Sequence, residues 1–210
     1  MDTQTQINNI CDTVNRIKLH KATILVGENG SGKSVVRKQL SFAIPKITDN
    51  KDAKVKQVSM ESRTGVDCIG MHLMADASWE PTSCHTYDMI KSLFASCFDN
   101  KEDDFVPYYF VIDELEVGMS RESQLAICNW LKERLFNICE KSYGLMIITH
   151  SEFVVEQLKD ACEFIDLNHP DRTADEWINR EITPTDFEQL EENAHELFLA
   201  LLPKKEKGKY

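Results

Sequence analysis

Residues 23–26 form the apolar run Thr-Ile-Leu-Val, and the eight residues after it fit the spacing G-x-x-x-x-G-K-S. These eight are Gly27, Glu28, Asn29, Gly30, Ser31, Gly32, Lys33 and Ser34. Glycines allow backbone N–H groups to turn inward around an anion, because no Cβ atom stands in the way. The apolar run predicts a buried strand, and residues 35–40 suit a helix whose first N–H groups would point at the same anion. The pattern therefore predicts a phosphate-binding loop between a strand and a helix.

Two side chains of this loop suit the chemistry of a nucleoside triphosphate. Lys33 brings a fixed positive charge to the β- and γ-phosphates. The hydroxyl of Ser34 can ligate the Mg²⁺ that bridges those phosphates. We therefore expect residues 27–34, together with Val35, to bind the phosphates of ATP.

A second apolar run, residues 108–112, ends in the acid pair Asp113-Glu114. Apolar and aromatic residues followed by two carboxylates are typical of a buried parallel strand. We expect this strand to neighbour the strand of the phosphate loop, so that Asp113 reaches the shell of the Mg²⁺. Glu114, one residue further, can polarise a water in line with the γ-phosphate.

A third apolar run, residues 145–149, ends in His150. Ligands of open α/β sheets bind at the carboxyl ends of the strands, so His150 is expected at the same crevice as the acid pair. An imidazole in that position can donate a hydrogen bond to the γ-phosphate and sense its presence. We therefore count His150 with Lys33 and Glu114 as the predicted catalytic residues.

Taken together, the three motifs resemble those of an ABC-type ATPase, in the form found in the stand-alone SMC, RecF and OLD-type ATPases. The run Asp113-Glu114-Leu115-Glu116-Val117-Gly118 is similar to the D-E-P-E-x-G run of that family, with Leu115 in place of proline. The resemblance covers residues 21–168. It implies hydrolysis of ATP, a Mg²⁺ held by Ser34 and Asp113, a water oriented by Glu114, and an ATP-dependent homodimer.

Two features of that family have no clear counterpart here. The signature L-S-G-G-[QE] is missing, and the best-placed substitute is the segment 81–87, which offers the Ser83 hydroxyl but no glycine. The aromatic residue that stacks on adenine in the N-terminal strands of most relatives is also absent. The sequence therefore leaves both the dimer contact and the base contact open.

The chain has 210 residues, of which 42% are hydrophobic, and this suits one α/β domain. We expect no membrane span, because no apolar stretch reaches 18 residues, and no secretion signal at the N-terminus. Seven cysteines without paired spacing favour a reducing compartment, hence the cytoplasm. The net charge of −11 disfavours wrapping of DNA over a broad surface.

The alternation of patterns predicts a P-loop three-layer sandwich with a mainly parallel sheet, a short helical insertion and a C-terminal helix. The predicted core spans 21–168, the insertion 65–107 and the C-terminal helical segment 173–203. Predicted strands cover 22–26, 55–60, 108–112, 145–149 and 163–167, and predicted helices cover 4–19, 33–44, 87–97, 121–140 and 151–159.

A last amphipathic helix is expected from Asp186 to Leu202. Its apolar face can dock on its own domain, or it can serve a partner or self-association. Two further functions also stay open for the whole chain. One is a small-molecule kinase, since such kinases share the phosphate loop; the other is a non-catalytic, nucleotide-gated recruiter of an effector protein or a nucleic acid.

Overall fold

The computed structural model describes residues 3–59, 82–98, 105–182, 184 and 186–201. Its centre is a five-stranded sheet in the order β2-β3-β4-β1-β5. Every neighbouring pair of strands in this sheet is parallel. The strands are β1 (Ala22–Val26), β2 (Lys54–Val58), β3 (Tyr108–Asp113), β4 (Gly144–Ile148) and β5 (Glu163–Asp166). The predicted fold class is confirmed.

Helices cover both faces of the sheet, because the central strands are apolar on both sides. They are α1 (Thr3–Arg16), α2 (Lys33–Ile47), α3 (Thr82–Phe98), α4 (Arg121–Lys132), α5 (Leu135–Glu140), α6 (Glu152–Leu158), α7 (Ala174–Ile178) and α8 (Phe187–Leu201). Leu25, Val111 and Met146 of the sheet pack in one core cluster with α1, α2 and α8. Ile24, Phe110 and Ile147 pack in the other, with α3 to α7. The result is a three-layer sandwich.

The strand order corrects one expectation about the acid pair. We expected the strand of Asp113 to lie next to the strand of the phosphate loop, but β4 lies between β1 and β3. Ile147 in β4 is in register with Ile24 on one side and with Ile112 on the other. All three strands are buried apolar runs, so the sequence does not say which two are adjacent. The end of β4 therefore separates the loop from the acid pair.

Several predicted helices have different bounds in the structure, including α1, which ends at Arg16 rather than 19, and α3, which begins at Thr82 rather than 87. Helix α2 continues through Pro45 to Ile47 instead of ending at residue 44. The proline lies in the last turn, and Thr48 closes the helix by donating from both its N–H and its hydroxyl to the carbonyl of Ile44. The helix predicted over 121–140 is two helices, α4 and α5.

The two helices after β5, α7 and α8, both begin with a side-chain cap. Thr173 and Glu176 form a capping box at the start of α7, and Trp177 in this helix is buried. Asp186 accepts hydrogen bonds from the N–H groups of Glu188 and Gln189 at the start of α8. Helix α8 docks against α1 and the phosphate loop, with Leu197 buried there.

Several predictions concern residues outside the described ranges. They include most of the 65–107 insertion apart from α3, the start of the substitute signature at Pro81, and the tail after residue 201. Within the described ranges, none of the helices combines the length and the apolar character needed to cross a bilayer.

Candidate nucleotide-binding site

The phosphate loop links β1 to α2 through two glycines with positive φ. Gly30 has φ 74° and Gly32 has φ 103°, a region that residues with a Cβ rarely adopt. A Cβ on Gly32 would also lie 2.6 Å from Cδ1 of Ile10 in α1. Both the backbone conformation and the close approach of α1 therefore require glycine at position 32.

The N-terminus of α2 has no side-chain cap. Gly32 occupies the N-cap position in a left-handed conformation, whereas Ser120, Ser151 and Thr173 cap α4, α6 and α7 with their hydroxyls. The first N–H groups of a helix have no intrahelical acceptor and carry the positive end of the helix dipole. An uncapped start of a 15-residue helix next to a glycine-rich loop is a suitable place for an anion.

Lys33 folds back over the loop that precedes it. Its Nζ donates to the carbonyl oxygens of Gly27 at 2.9 Å and Glu28 at 2.8 Å. An ammonium has three N–H donors, so these two bonds orient the third. Burial lowers the pKa of Lys33 to about 8, although the nearby carboxylates of Asp113 and Glu114 oppose this effect. A phosphate arriving at Lys33 would therefore meet a partly desolvated and oriented cation.

The acid pair lies at the carboxyl end of β3. Oδ2 of Asp113 forms an ion pair with Nη1 of Arg37 at 3.0 Å. Glu114 has φ 57°, which is unusual for a residue with a side chain, and its N–H donates to the carbonyl of Ile148 at 2.9 Å. This bond connects the residue after β3 to the end of β4, so the backbone of Glu114 is held in place by the neighbouring strand.

His150 follows β4 and is held through its backbone. Its N–H donates to Oε1 of Glu116 at 2.8 Å, while Thr149 donates its N–H to Leu25 in β1. Burial lowers the pKa of His150 to about 4, and the positive charges of Lys33 and Arg180 act in the same direction. The imidazole is therefore neutral near pH 7, with one nitrogen as a donor and the other as an acceptor.

These side chains open into one cavity of about 400 Å³. Lys33, Ser34, Asp113, Glu114 and His150 all line it. The remaining lining residues come from the phosphate loop and from α8: Asn29, Gly30, Gly32, Val35, Ala194, Leu197, Phe198 and Leu201. The structure thus brings the predicted catalytic and metal-binding side chains to one place, despite the unexpected strand order.

Three residues of the loop do not line this cavity. Gly27 and Glu28 line a second cavity of about 420 Å³, which shares Asn29 and His150 with the first. Ser31 is buried, and its hydroxyl has no hydrogen-bond partner. Its Oγ lies 2.7 Å from where a Cβ on Gly27 would be, so it packs inside the loop.

Two oxygen-bearing side chains in the first cavity are suitable ligands for a magnesium ion. The Ser34 hydroxyl and the Asp113 carboxylate are hard oxygen ligands, and Mg²⁺ commonly binds through one or two such groups together with substrate phosphates. Among the described residues, no group of three or more His, Cys, Asp and Glu side chains could hold a metal by itself. Ser34 and Asp113 would hold a magnesium ion only together with further oxygens, such as those of phosphates.

Three residues position this site without a predicted role: Arg37, Asn168 and Glu116, of which the sequence motifs include only Glu116, as part of the acid run. Arg37 pairs with Asp113, and Glu116 accepts from the backbone of His150. Asn168 accepts the N–H of Glu28 at 2.8 Å and is itself oriented by Asp166. Asn168 follows β5 as the other site residues follow their strands, so its position after a strand was the available signal.

The substitute signature belongs to another part of the sheet. Ser83 lies in the first turn of α3, which packs against the edge strand β2 and against α5. Two strands, β3 and β4, separate β2 from the strand of the phosphate loop. Within one chain, α3 is therefore not part of the cavity around Lys33.

No family model matches the chain, and no curated protein matches it. The solved structure of C. elegans PCH-2 aligns with 80% of this chain and 40% of that chain, at 16% identity and a TM-score of 0.40. The chain thus spans less than half of that protein, and a likeness at this level supports no functional inference.

Proposed function

We propose that this chain binds ATP with Mg²⁺ and hydrolyses it. The observation that carries the proposal is the first cavity, where an ammonium, a hydroxyl, two carboxylates and an imidazole meet at an uncapped helix start. Phosphoryl transfer needs little covalent chemistry from a protein but requires positioned charges around the phosphates and a positioned nucleophile. Each of these requirements has a candidate side chain in this cavity.

The proposed role of each residue follows from its position in the cavity. Lys33 and the first N–H groups of α2 hold the phosphates, and Ser34 with Asp113 would hold the Mg²⁺, which neutralises phosphate charge when bound. Glu114 orients the attacking water and accepts its proton. The neutral imidazole of His150 donates to the γ-phosphate and thereby reports its presence.

The ABC-type assignment is part of this proposal. The acid run at 113–118 and the His150 position support it, and an ATP-dependent homodimer would follow from it. Helix α8 lines the cavity from the side of the phosphate loop, so a facing subunit would have to accommodate this helix. The six described cysteines are free thiols, which is compatible with the proposed cytoplasmic location.

One observation favours a second candidate, a nucleotide-gated recruiter without turnover. Arg37 already satisfies Asp113 with a buried positive charge. If this ion pair persists with ATP bound, Asp113 contributes less to Mg²⁺ binding and hydrolysis is slow. The chain would then act through a partner, a protein or a nucleic acid, that distinguishes the bound from the free form.

The test is thin-layer detection of phosphate released from γ-labelled ATP, with Mg²⁺ and with EDTA. The parent should release free phosphate only with Mg²⁺. Lys33→Ala should bind ATP about tenfold or more weakly, since a hydrogen bond to a charged group is lost. Lys38→Ala is the matched control, because Lys38 lies exposed on the same helix.

Other outcomes separate the candidates. Binding without phosphate release, alone and with partners, would favour the recruiter. Transfer of the label to a small molecule would indicate a kinase. Unchanged ATP affinity in Lys33→Ala would contradict the assignment of the loop.

A further inference from the structure

Helix α8 packs against the phosphate loop. A Cβ on Gly30 would lie 2.7 Å from Cδ1 of Leu190, and one on Gly32 would lie 3.5 Å from Cδ2 of Leu197. These two leucines are seven residues apart, so two turns of α8 follow the loop. The loop glycines are thus packed against α8 as well as against α1.

The first cavity is lined by both polar and apolar side chains. Lys33, Ser34, Asp113, Glu114 and His150 are among the polar ones. The wall contributed by α8 consists only of apolar side chains: Ala194, Leu197, Phe198 and Leu201. A ligand with phosphates at Lys33 would therefore meet an apolar surface on the α8 side.

Phe198 differs from its neighbours on this wall. Leu197 is only 4% exposed, because it is part of the core cluster with α1 and α2, whereas Phe198 is 60% exposed. An aromatic ring that lines a cavity and remains accessible can contact a flat ligand group. A purine presents such a group, and base–aromatic stacking is favourable for every base.

The second cavity is less suited to the base. It is lined by the carboxylates of Asp166, Glu181 and Asp186, and it includes neither Lys33 nor Ser34. Its two arginines have partners, since Arg172 pairs with Asp166 and Arg180 pairs with Glu152. A base seated there would contact a mainly polar surface, apart from Trp177, Ile182, Pro184 and Leu190.

We infer that the C-terminal half of α8 forms the base-binding wall of the nucleotide site, with the Phe198 ring against the face of a purine. The inference rests on the proposed binding of ATP. The C-terminal helix would then supply the aromatic contact for the base. Helix α1, at the N-terminal side of the chain, contains no aromatic residue. Ala194 and Leu201 complete the wall on either side of Phe198 along the helix.

The experiment compares two ligands by isothermal titration calorimetry with the full chain. ATP carries phosphates and a base, whereas inorganic tripolyphosphate carries phosphates alone. Phe198→Ala should weaken ATP binding about tenfold and leave tripolyphosphate binding unchanged. Phe198→Trp, which keeps an aromatic face, should bind ATP like the parent.

Phe187→Ala is the matched control. Phe187 lies on the same helix and is 76% exposed, but it lines neither cavity, so its removal should change neither affinity. Because both phenylalanines are exposed, neither truncation leaves a hole in the core.

Three outcomes would overturn the inference. Equal ATP affinity in Phe198→Ala and the parent would show that the base lies elsewhere. Equal weakening of both ligands would make α8 a cover for the phosphates rather than a base wall. No ATP binding by the parent would overturn the proposed function together with this inference, and the parent titration distinguishes that case from the other two.

Discussion

Arg37 and Asp113 form an ion pair at 3.0 Å, with side chains only 3% and 15% exposed. Arg37 lies one turn after Ser34 on α2, so the helix that begins at the phosphate loop also holds the acid at the end of β3. A buried charge that loses its partner is costly. This ion pair therefore links the two halves of the proposed magnesium site.

Removal of either charge should destabilise the fold. We expect Arg37→Met and Asp113→Asn each to lower the free energy of unfolding by about 3 kcal/mol, because each removes one charge of a buried ion pair. The double variant Arg37→Met/Asp113→Asn should lose less than the sum of the single changes. Urea denaturation measures all three. The exposed pair of Lys18 and Glu163 is the control, since Lys18→Ala should cost under about 1 kcal/mol. Additive losses at Arg37 and Asp113 would contradict the coupling.

Glu114→Gln should separate ATP binding from ATP hydrolysis. The amide is isosteric but cannot accept a proton, so phosphate release should fall about 10²- to 10⁴-fold while the ATP affinity is kept. Steady-state phosphate release and calorimetry measure the two quantities. Glu122→Gln, an exposed residue of α4, should leave both unchanged. Turnover by Glu114→Gln at the rate of the parent would contradict the proposal that Glu114 orients the attacking water.

The same Glu114→Gln variant can test dimer formation. If ATP brings two chains together, a variant that binds but does not hydrolyse ATP should accumulate as a dimer. Light scattering after size exclusion, with and without ATP, measures the mass. An unchanged monomer mass under saturating ATP would speak against a sandwich dimer.

Glu116 should affect the site through the backbone of His150. Its Oε1 accepts the His150 N–H at 2.8 Å, so Glu116→Ala removes a charge-assisted bond worth about 1.5–3 kcal/mol. Glu116→Gln keeps an acceptor oxygen and should be closer to the parent. Urea denaturation and phosphate release should rank the three proteins as parent, Glu116→Gln and Glu116→Ala. If Glu116→Ala matches the parent in both, the bond does not position His150.

The stability of the fold should fall in acid because of His150. Its pKa is lowered to about 4 in the folded chain from 6.5, so between these values the unfolded chain binds more protons. The free energy of unfolding should therefore decrease as the pH falls from 6.5 to 4, by less than about 1.4 kcal/mol per pH unit from this residue. Denaturation at several pH values should show a weaker dependence in His150→Gln. His169→Gln, which changes an exposed histidine, should keep the dependence of the parent.

The sequence predicted the strands at the site well because their signals are local. The runs 22–26, 108–112 and 145–149 consist mainly of apolar residues and are followed by Gly27, Asp113 and His150. Burial on both faces of a parallel sheet produces this pattern directly. The capping box at Thr173 and the cap at Asp186 were predictable for the same reason, since both involve residues within one turn.

The order of the strands and the partners of the site residues were not predictable. Adjacency of β4 and β1 depends on which apolar surfaces pack together, and three similar apolar runs do not encode it. Arg37 fits an ordinary exposed helix position until the fold places it against Asp113. The positive φ of Glu114 likewise follows from its bond to the Ile148 carbonyl in another strand.

The strand between β1 and β3 has a consequence for the geometry of the proposed reaction. Neighbouring strands lie about 4.8 Å apart, so the end of β1, which leads into the phosphate loop, and the end of β3, which leads into Glu114, are about 10 Å from each other. Backbone hydrogen bonds between the strands set this distance, and rotamer changes alter it little. The distance between the phosphate loop and the acid pair is thus a property of the sheet, and substitutions that loosen β4 should impair the proposed reaction even when every side chain of the site is intact.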